Sequence, residues 1–297
     1  MIDRTASSGS ASSRFMTAND GLKLHVRCFE PSATGKLPVV CLPGLARTAE
    51  DFEVLASALV HRQGRRVLAL DYRGRGLSDY DVPKNYTLPV ELTDVLAVVT
   101  ALEAMPAIFV GTSRGGILTM LLAAVRPTVL AGVILNDIGP VIEPQGLMRI
   151  KGYVGKLPQP TSFEDGALIL KRLFDAQFPK LTQDDWRLAA RRTFKQVNGQ
   201  LLPTYDVRLA ETLVSLDPER PPPVLWPQFE ALAHVPVLSI RGANSDILSV
   251  ATVNAMALRH PRVESFEVPD QGHAPLLADE DTINRIAEFT SRVEAPS

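Results

Sequence analysis

Six short apolar runs, at residues 38–42, 66–70, 107–110, 131–135, 235–240 and 263–268, alternate along this chain with helix-patterned segments. The clearest helical patterns span 51–61, 89–104, 115–125, 250–258 and 282–293. Runs that are apolar on both faces and separated by helices cannot leave one face in water. They predict a mostly parallel sheet covered by helices on both sides, an α/β fold. Upstream, two β-like stretches within 14–30 flank Asn19-Asp20-Gly21, whose Asp-Gly step is a hairpin signal. Residues 1–13 are small and polar, with nothing to bury, and are expected to be a disordered tail.

The alternation stops between 139 and 227. That stretch reads as helices joined by short loops, because Ser162 and Thr182 each stand three residues before an acid, Asp165 and Asp185, at the head of an amphipathic segment. Pro221-Pro222-Pro223 stiffens the return to the sheet. The expected organisation is a core of 14–138 and 228–297 with a helical cap, 139–227, inserted over the C-terminal edge of the sheet.

A formal net charge of −2 offers no basic field for nucleic acid or an anionic membrane, so a small molecule is the expected partner. Cys28 and Cys41 form neither a disulfide framework nor a metal-ligand cluster, and read as two reduced thiols in a core sheet. The polar, Ser-rich start has no apolar core of a signal peptide. The most apolar stretch, 116–135, is broken by Arg126-Pro127 and is too short to span a bilayer. A cytoplasmic protein, monomer or homodimer, is the expectation. No His/Cys/Asp cluster has metal-ligand spacing, so no metal and no cofactor is expected.

The chemistry is concentrated at Gly111-Thr112-Ser113-Arg114-Gly115-Gly116, which follows one apolar run and opens a helical pattern. A serine on so sharp a strand-to-helix turn is forced to expose its hydroxyl, and small neighbours let other elements pack around it. Such a hydroxyl needs a base. His25, His61 and His260 occupy bland strand or helix-end positions, and His234 sits in a connection before a strand. His273, in the turn Asp270-Gln271-Gly272-His273-Ala274-Pro275 after the last strand-like run, reaches the sheet edge where α/β folds keep their sites. Asp246, after the run 235–240, is the expected acid that orients His273. Asp137, ending the run 131–135, is the reserve acid. The oxyanion donors are expected to be the amides of Leu45 and Arg114, with Gly44 letting backbone approach the substrate.

The oxyanion loop Leu42-Pro43-Gly44-Leu45, the segment Asp71-Tyr72-Arg73-Gly74-Arg75-Gly76-Leu77-Ser78-Asp79, the turn around Ser113, and Asp246 and His273 in that order resemble the α/β-hydrolase fold superfamily. The likeness is to its esterase, lactonase, haloperoxidase and C–C hydrolase group. It runs from about Arg14 to the C-terminus and implies an eight-stranded, mostly parallel sheet with the cap after the sixth strand. It also implies a serine hydrolase of a small carboxylic ester, with a lactonase or C–C hydrolase as alternatives that use the same residues. A non-catalytic small-molecule binding protein on this fold is the alternative outside enzymes. One departure is Pro43, where many relatives carry histidine. Ser113 in place of an aspartate argues against a haloalkane dehalogenase.

Other features carry less. Gly74-Arg75-Gly76 reads as a tight turn rather than a phosphate loop. Arg47 and Arg114 are expected to pair with nearby acids such as Asp71 or Asp137, with an anionic substrate group as the alternative. Trp226 and Phe229 are candidates for pocket lining or for hinge packing.

Overall fold

The computed structural model describes residues 11–294 except 33–34, 218 and 220–221. The chain order is β1 (Ala11–Thr17), β2 (Lys23–Phe29), β3 (Val39–Leu42), α1 (Glu53–Gln63), β4 (Val67–Leu70), α2 (Leu88–Ala101), β5 (Ala107–Thr112), α3 (Arg114–Val125) and β6 (Leu130–Asn136). Then come α4 (Pro144–Tyr153), α5 (Phe163–Phe174), α6 (Gln183–Thr193), β7 (Phe194–Val197), β8 (Gln200–Pro203) and α7 (Trp226–Glu230). The chain closes with β9 (Val237–Gly242), α8 (Val250–Arg259), β10 (Val263–Val268) and α9 (Glu280–Val293).

Eight strands form one sheet in the order β1-β2-β4-β3-β5-β6-β9-β10. Only β2 runs against its neighbours; from β4 to β10 every pairing is parallel. Alternate residues of each strand enter different cores, as the period of two requires. Val40, Leu42 and Phe109 face α2 and α3, whereas Val39, Cys41, Ile108 and Val110 face α1 and α9. Burial on both faces makes these strands read as unbroken apolar runs. Cys28 and Cys41 lie in opposite cores and are free thiols; burial pushes Cys28 up to about 11 and Cys41 further. Among the described residues no helix is long and apolar enough to cross a membrane.

Two expectations are corrected. The first strand begins at Ala11, so 11–13 belong to the sheet, while 1–10 lie outside the described residues. Ser12 and Ser13 pair with Cys28 and Arg27, and the Ser13 hydroxyl lies 2.8 Å from His25 Nε2. His25 Nδ1 in turn meets Asp71 at 2.7 Å, so ladder bonds and this buried contact order a strand with little apolar content.

The segment between β6 and β9 is not purely helical either. β7 and β8 form a hairpin whose turn residues Asn198 and Gly199 both have positive φ, 49° and 81°. Asn-Gly is the strongest short hairpin signal because both residues tolerate that conformation, and it stood in the sequence unread. The predicted helix starts do form: Ser162 accepts from Asp165 N, and Thr182 with Asp185 completes a reciprocal capping box.

This segment docks on the loops at the C-terminal ends of the parallel strands. Gly76 N donates to Thr204 O, and Asp206 N to Gly74 O, both at 2.7 Å. Gly146 N donates to Asp246 O at 3.1 Å, and Asn244 Nδ2 to Gln177 O at 3.1 Å.

At the opposite end of the sheet, His260 is buried with Nε2 on Leu232 O (3.0 Å), while Nδ1 accepts from Arg262 N (3.1 Å). A second ring proton would point at that amide, and burial lowers the imidazole pKa. Below the unfolded value of about 6.5 the unfolded chain therefore binds more protons than the folded one. Stability attributable to His260 is complete above that pH and declines as the pH falls towards the folded pKa, by at most about 1.4 kcal/mol per pH unit. Urea unfolding at pH 7.5 and 5.5 checks this: the His260→Gln variant is expected to show a smaller loss than wild type.

Candidate active site

Ser113 stands between β5 and α3 with φ 51° and ψ −112°, a sparsely populated backbone region that costs about 1–3 kcal/mol and recurs at functional turns. The surroundings over-determine it. Ser113 N donates to Asn136 O at 3.0 Å, and its carbonyl accepts from Gly116 N and Ile117 N at 2.9 and 3.1 Å. Glycine is required beside it by packing: a methyl group on Gly115 would overlap the carbonyl oxygen of Leu42 in β3. Since neither backbone can retreat from the sheet, Gly115→Ala is expected to cost about 3 kcal/mol. Thermal unfolding would read this as a Tm several degrees below wild type, with activity impaired because Leu42 leads into the oxyanion loop.

The loop after β10 brings His273 to the serine: Nε2 lies 2.8 Å from Ser113 Oγ. On the other side of the ring, Nδ1 lies 2.8 Å from Asp137 Oδ2. Asp137 is fully buried, and its carboxylate also accepts from Gly242 N (2.8 Å) and Ser245 Oγ (2.6 Å). Three donors converge on it and fix its direction. At φ 55°, Asp137 adopts the left-handed conformation that short polar residues tolerate, and so leaves the end of β6 at a sharp angle.

The expectation for Asp246 is corrected by this geometry. Its carboxylate faces away from His273 Nδ1 and takes Arg149 Nε and Nη2 at 2.6 and 2.8 Å. Burial works to raise its pKa, but the bonds and charge of Arg149, with a smaller contribution from a hydrogen bond with Gln177, hold it below the ordinary carboxylate value. The physical reason is the turn after β9: it directs the Ser245 hydroxyl, one residue earlier, at the relay and points Asp246 at α4.

The loop after β3 passes directly over the serine. A methyl group on Gly44 would lie 3.8 Å from Ser113 Cβ, so the Gly44–Leu45 backbone borders the nucleophile. With Pro43 in place of the usual histidine, other side chains hold the loop: Tyr72 OH donates to Pro43 O (3.2 Å) and Arg75 Nε to Leu45 O (2.9 Å). Arg75 is itself buried, and pairs with the fully buried Glu91 at 2.9 Å. Glu91 also pairs with Arg114 Nε at 2.5 Å. The two arginines therefore share one carboxylate beneath the nucleophile turn, leaving a net positive charge there. Burial lowers the Arg75 pKa, Glu91 opposes this, and Arg114 adds to it. The network was missed in the sequence because an acid in the first turn of a helix reads as an ordinary dipole partner.

The remaining candidates fall as follows. Gly74 and Gly76 both have positive φ, and a methyl group on Gly76 would overlap the Asp71 carboxylate, so that segment is the expected tight turn. Arg47 pairs with Asp51 and Arg114 with Glu91, not with Asp71 or Asp137. Trp226 packs edge-on against Phe229 and under the Arg259 guanidinium, which is hinge packing beside α8 rather than contact with Ser113. Among the described residues no group of His, Cys, Asp or Glu is arranged to hold a metal ion.

Comparison with known proteins agrees with the fold. The model of the alpha/beta hydrolase family matches residues 39–286. A 3-hydroxybutyrate-oligomer hydrolase of Cupriavidus necator is 36% identical over 249 residues, 81% of this chain and 84% of that protein. A 2-(acetamidomethylene)succinate hydrolase of Mesorhizobium japonicum is 27% identical over 248 residues, covering 83% of this chain and 85% of its own. The crystal structure of an alpha/beta hydrolase from Novosphingobium aromaticivorans superimposes with a TM-score of 0.89 at 38% identity, covering 97% of this chain and 100% of that one. By its family model, its sheet and its relatives, this chain belongs to the alpha/beta hydrolase family and is a hydrolase.

Proposed function

We propose that this chain hydrolyses small carboxylic esters through an acyl-enzyme on Ser113. The observation that carries the reading is the unbroken relay from Ser113 Oγ through His273 to Asp137, with both contacts at 2.8 Å. Ser113 Oγ attacks the ester carbonyl while His273 Nε2 takes its proton. Asp137 keeps the Nδ1 proton in place and stabilises the imidazolium that forms. The amides of Leu45 and Arg114 receive the oxyanion, and the net positive Arg75–Glu91–Arg114 cluster behind them favours the same charge. His273 then protonates the leaving alcohol. It next activates the water that releases the acid.

The segment 139–227 serves as a cap that shapes the pocket, a reading supported by its bonds to the loops around Gly74, Asp246 and Asn244. The substrate class is the short hydroxy-acid ester, which the 36% relative's name supports.

The test is pre-steady-state hydrolysis of p-nitrophenyl acetate, butyrate and decanoate, with 3-hydroxybutyrate dimer and trimer as further substrates. Expected is a p-nitrophenol burst equal to the enzyme concentration, faster turnover of the short esters, and cleavage of the oligomers. Absence of both burst and turnover for every ester would overturn the ester reading. Cleavage of amides or of C–C bonds alone would move the same residues to another bond.

A further inference from the structure

Beside the relay, α4 carries a charge pair that the relay does not use. Asp246 occupies one edge of the Arg149 guanidinium, accepting from Nε and Nη2 at 2.6 and 2.8 Å. The third nitrogen, Nη1, is buried and has no acceptor among the described residues. Held by Asp246 on its Nε/Nη2 edge, the guanidinium keeps the two hydrogens of Nη1 for another acceptor. A buried cationic donor without a partner is costly, so this edge is organised for an acceptor that the protein does not supply.

Arg149 also lies close to the chemistry. Asp246 follows Ser245, whose hydroxyl is 2.6 Å from Asp137, the residue that holds His273. The stem of Arg47 borders Gly44, which borders Ser113. Arg47, however, is fully engaged, with Asp51 on Nε and Nη2 (2.7 and 2.5 Å) and Thr193 on Nη1 (3.0 Å). Tyr153 feels the charge of both arginines, and its hydroxyl also bonds the Arg149 side chain. Arg47 has each guanidinium nitrogen engaged, whereas Nη1 of Arg149 is without an acceptor among the described residues.

We propose that Arg149 anchors a free carboxylate on the substrate, with Asp246 as its standing counter-ion. The substrate class is then an ester that retains one ionised carboxylate, such as a hydroxy-acid oligomer or the half-ester of a dicarboxylic acid. This rests on the ester-hydrolase reading of Ser113 and adds to it the group that selects the substrate. Asp246 keeps Arg149 oriented and lowers the cost of holding the cation there; the incoming carboxylate takes Nη1.

The test compares two esters of matched length, mono-p-nitrophenyl glutarate and p-nitrophenyl pentanoate. Wild type is expected to favour the anion. In Arg149→Gln the ratio of kcat/KM for the anionic over the neutral ester is expected to fall roughly 10- to 100-fold, mainly through KM. Arg149→Lys should recover part of that ratio. Asp246→Asn, which removes the counter-ion, should lower KM for the anion. A purely structural latch between α4 and the loop after β9 predicts equal losses on both esters in all three variants, and that result would overturn the proposal.

Labelling of Ser113 by a fluorophosphonate, run in parallel, separates the two readings. If Ser113 labels normally and the ratio is unmoved, the anchor fails while the nucleophile stands. If wild type neither labels nor turns over either ester, the anion site is read alone. A Tm raised by glutarate in wild type but not in Arg149→Gln supports it, and no rise in wild type overturns it.

Discussion

Replacing Ser113 with alanine is expected to lower kcat for ester hydrolysis by roughly six orders of magnitude, leaving only what the oxyanion donors and binding provide over water. The size of the effect follows from the relay. Without Oγ, His273 has nothing to deprotonate, and the acyl-enzyme that divides one hard step into two easier ones cannot form. The fold should tolerate the change. Alanine keeps the Cβ that the turn already accommodates, and the backbone bonds to Asn136 O and from Gly116 N and Ile117 N do not involve the hydroxyl. Steady-state kinetics, with thermal unfolding as control, check it: activity lost and Tm retained is the expected pair. Residual activity within a hundredfold of wild type would mean that another group is the nucleophile.

The second large effect separates the two candidate acids. Asp137→Asn is expected to lower kcat by roughly 10⁴, because an amide in that place favours the wrong imidazole tautomer and cannot stabilise the imidazolium. Asp246→Asn is expected to lower kcat by less than about tenfold, since its carboxylate meets Arg149 and not His273 Nδ1. Measuring kcat for both variants on one neutral ester decides the matter. The reverse order of losses would return the orienting role to Asp246.

The contrast between those acids shows how far the amino-acid sequence could be read. That Ser113 and His273 meet was legible because each is announced locally: one by small residues between a strand pattern and a helix pattern, the other by a polar turn after the last apolar run. The parallel sheet was legible because burial on both faces leaves runs such as Val39–Leu42 and Val67–Leu70 wholly apolar. The choice between Asp137 and Asp246 was not. Both follow neighbouring parallel strands, β6 and β9, so strand order alone offers either loop to the same histidine. What separates them is side-chain direction, set by the Gly242 amide and the Ser245 hydroxyl, which is a tertiary property.

The segment between β6 and β9 was read least well. Its capping residues were visible, yet the Asn198-Gly199 turn was absorbed into a helical expectation, and its pairing of Arg149 with Asp246 has no local signature. Glu91 was likewise invisible as the shared partner of Arg75 and Arg114, because those three residues meet only when α2, the turn after β4 and the head of α3 pack together.

These particulars bear on function. On the proposed mechanism, the relay and the loop after β3 use backbone and side chains of the core, whereas Arg149, the proposed anchor for the substrate, comes from the inserted segment. Chemistry and selectivity are therefore separable by mutation, in the sense that Arg149 variants change which ester is preferred and Asp137 variants change how fast any ester reacts.

The most direct measurement is to treat the protein with a fluorophosphonate and locate the adduct by peptide mass spectrometry, in wild type and in His273→Gln. A single adduct on Ser113, formed rapidly in wild type and orders of magnitude more slowly without the imidazole, is the result this account predicts. No adduct on Ser113, or labelling at the same rate without His273, would contradict it.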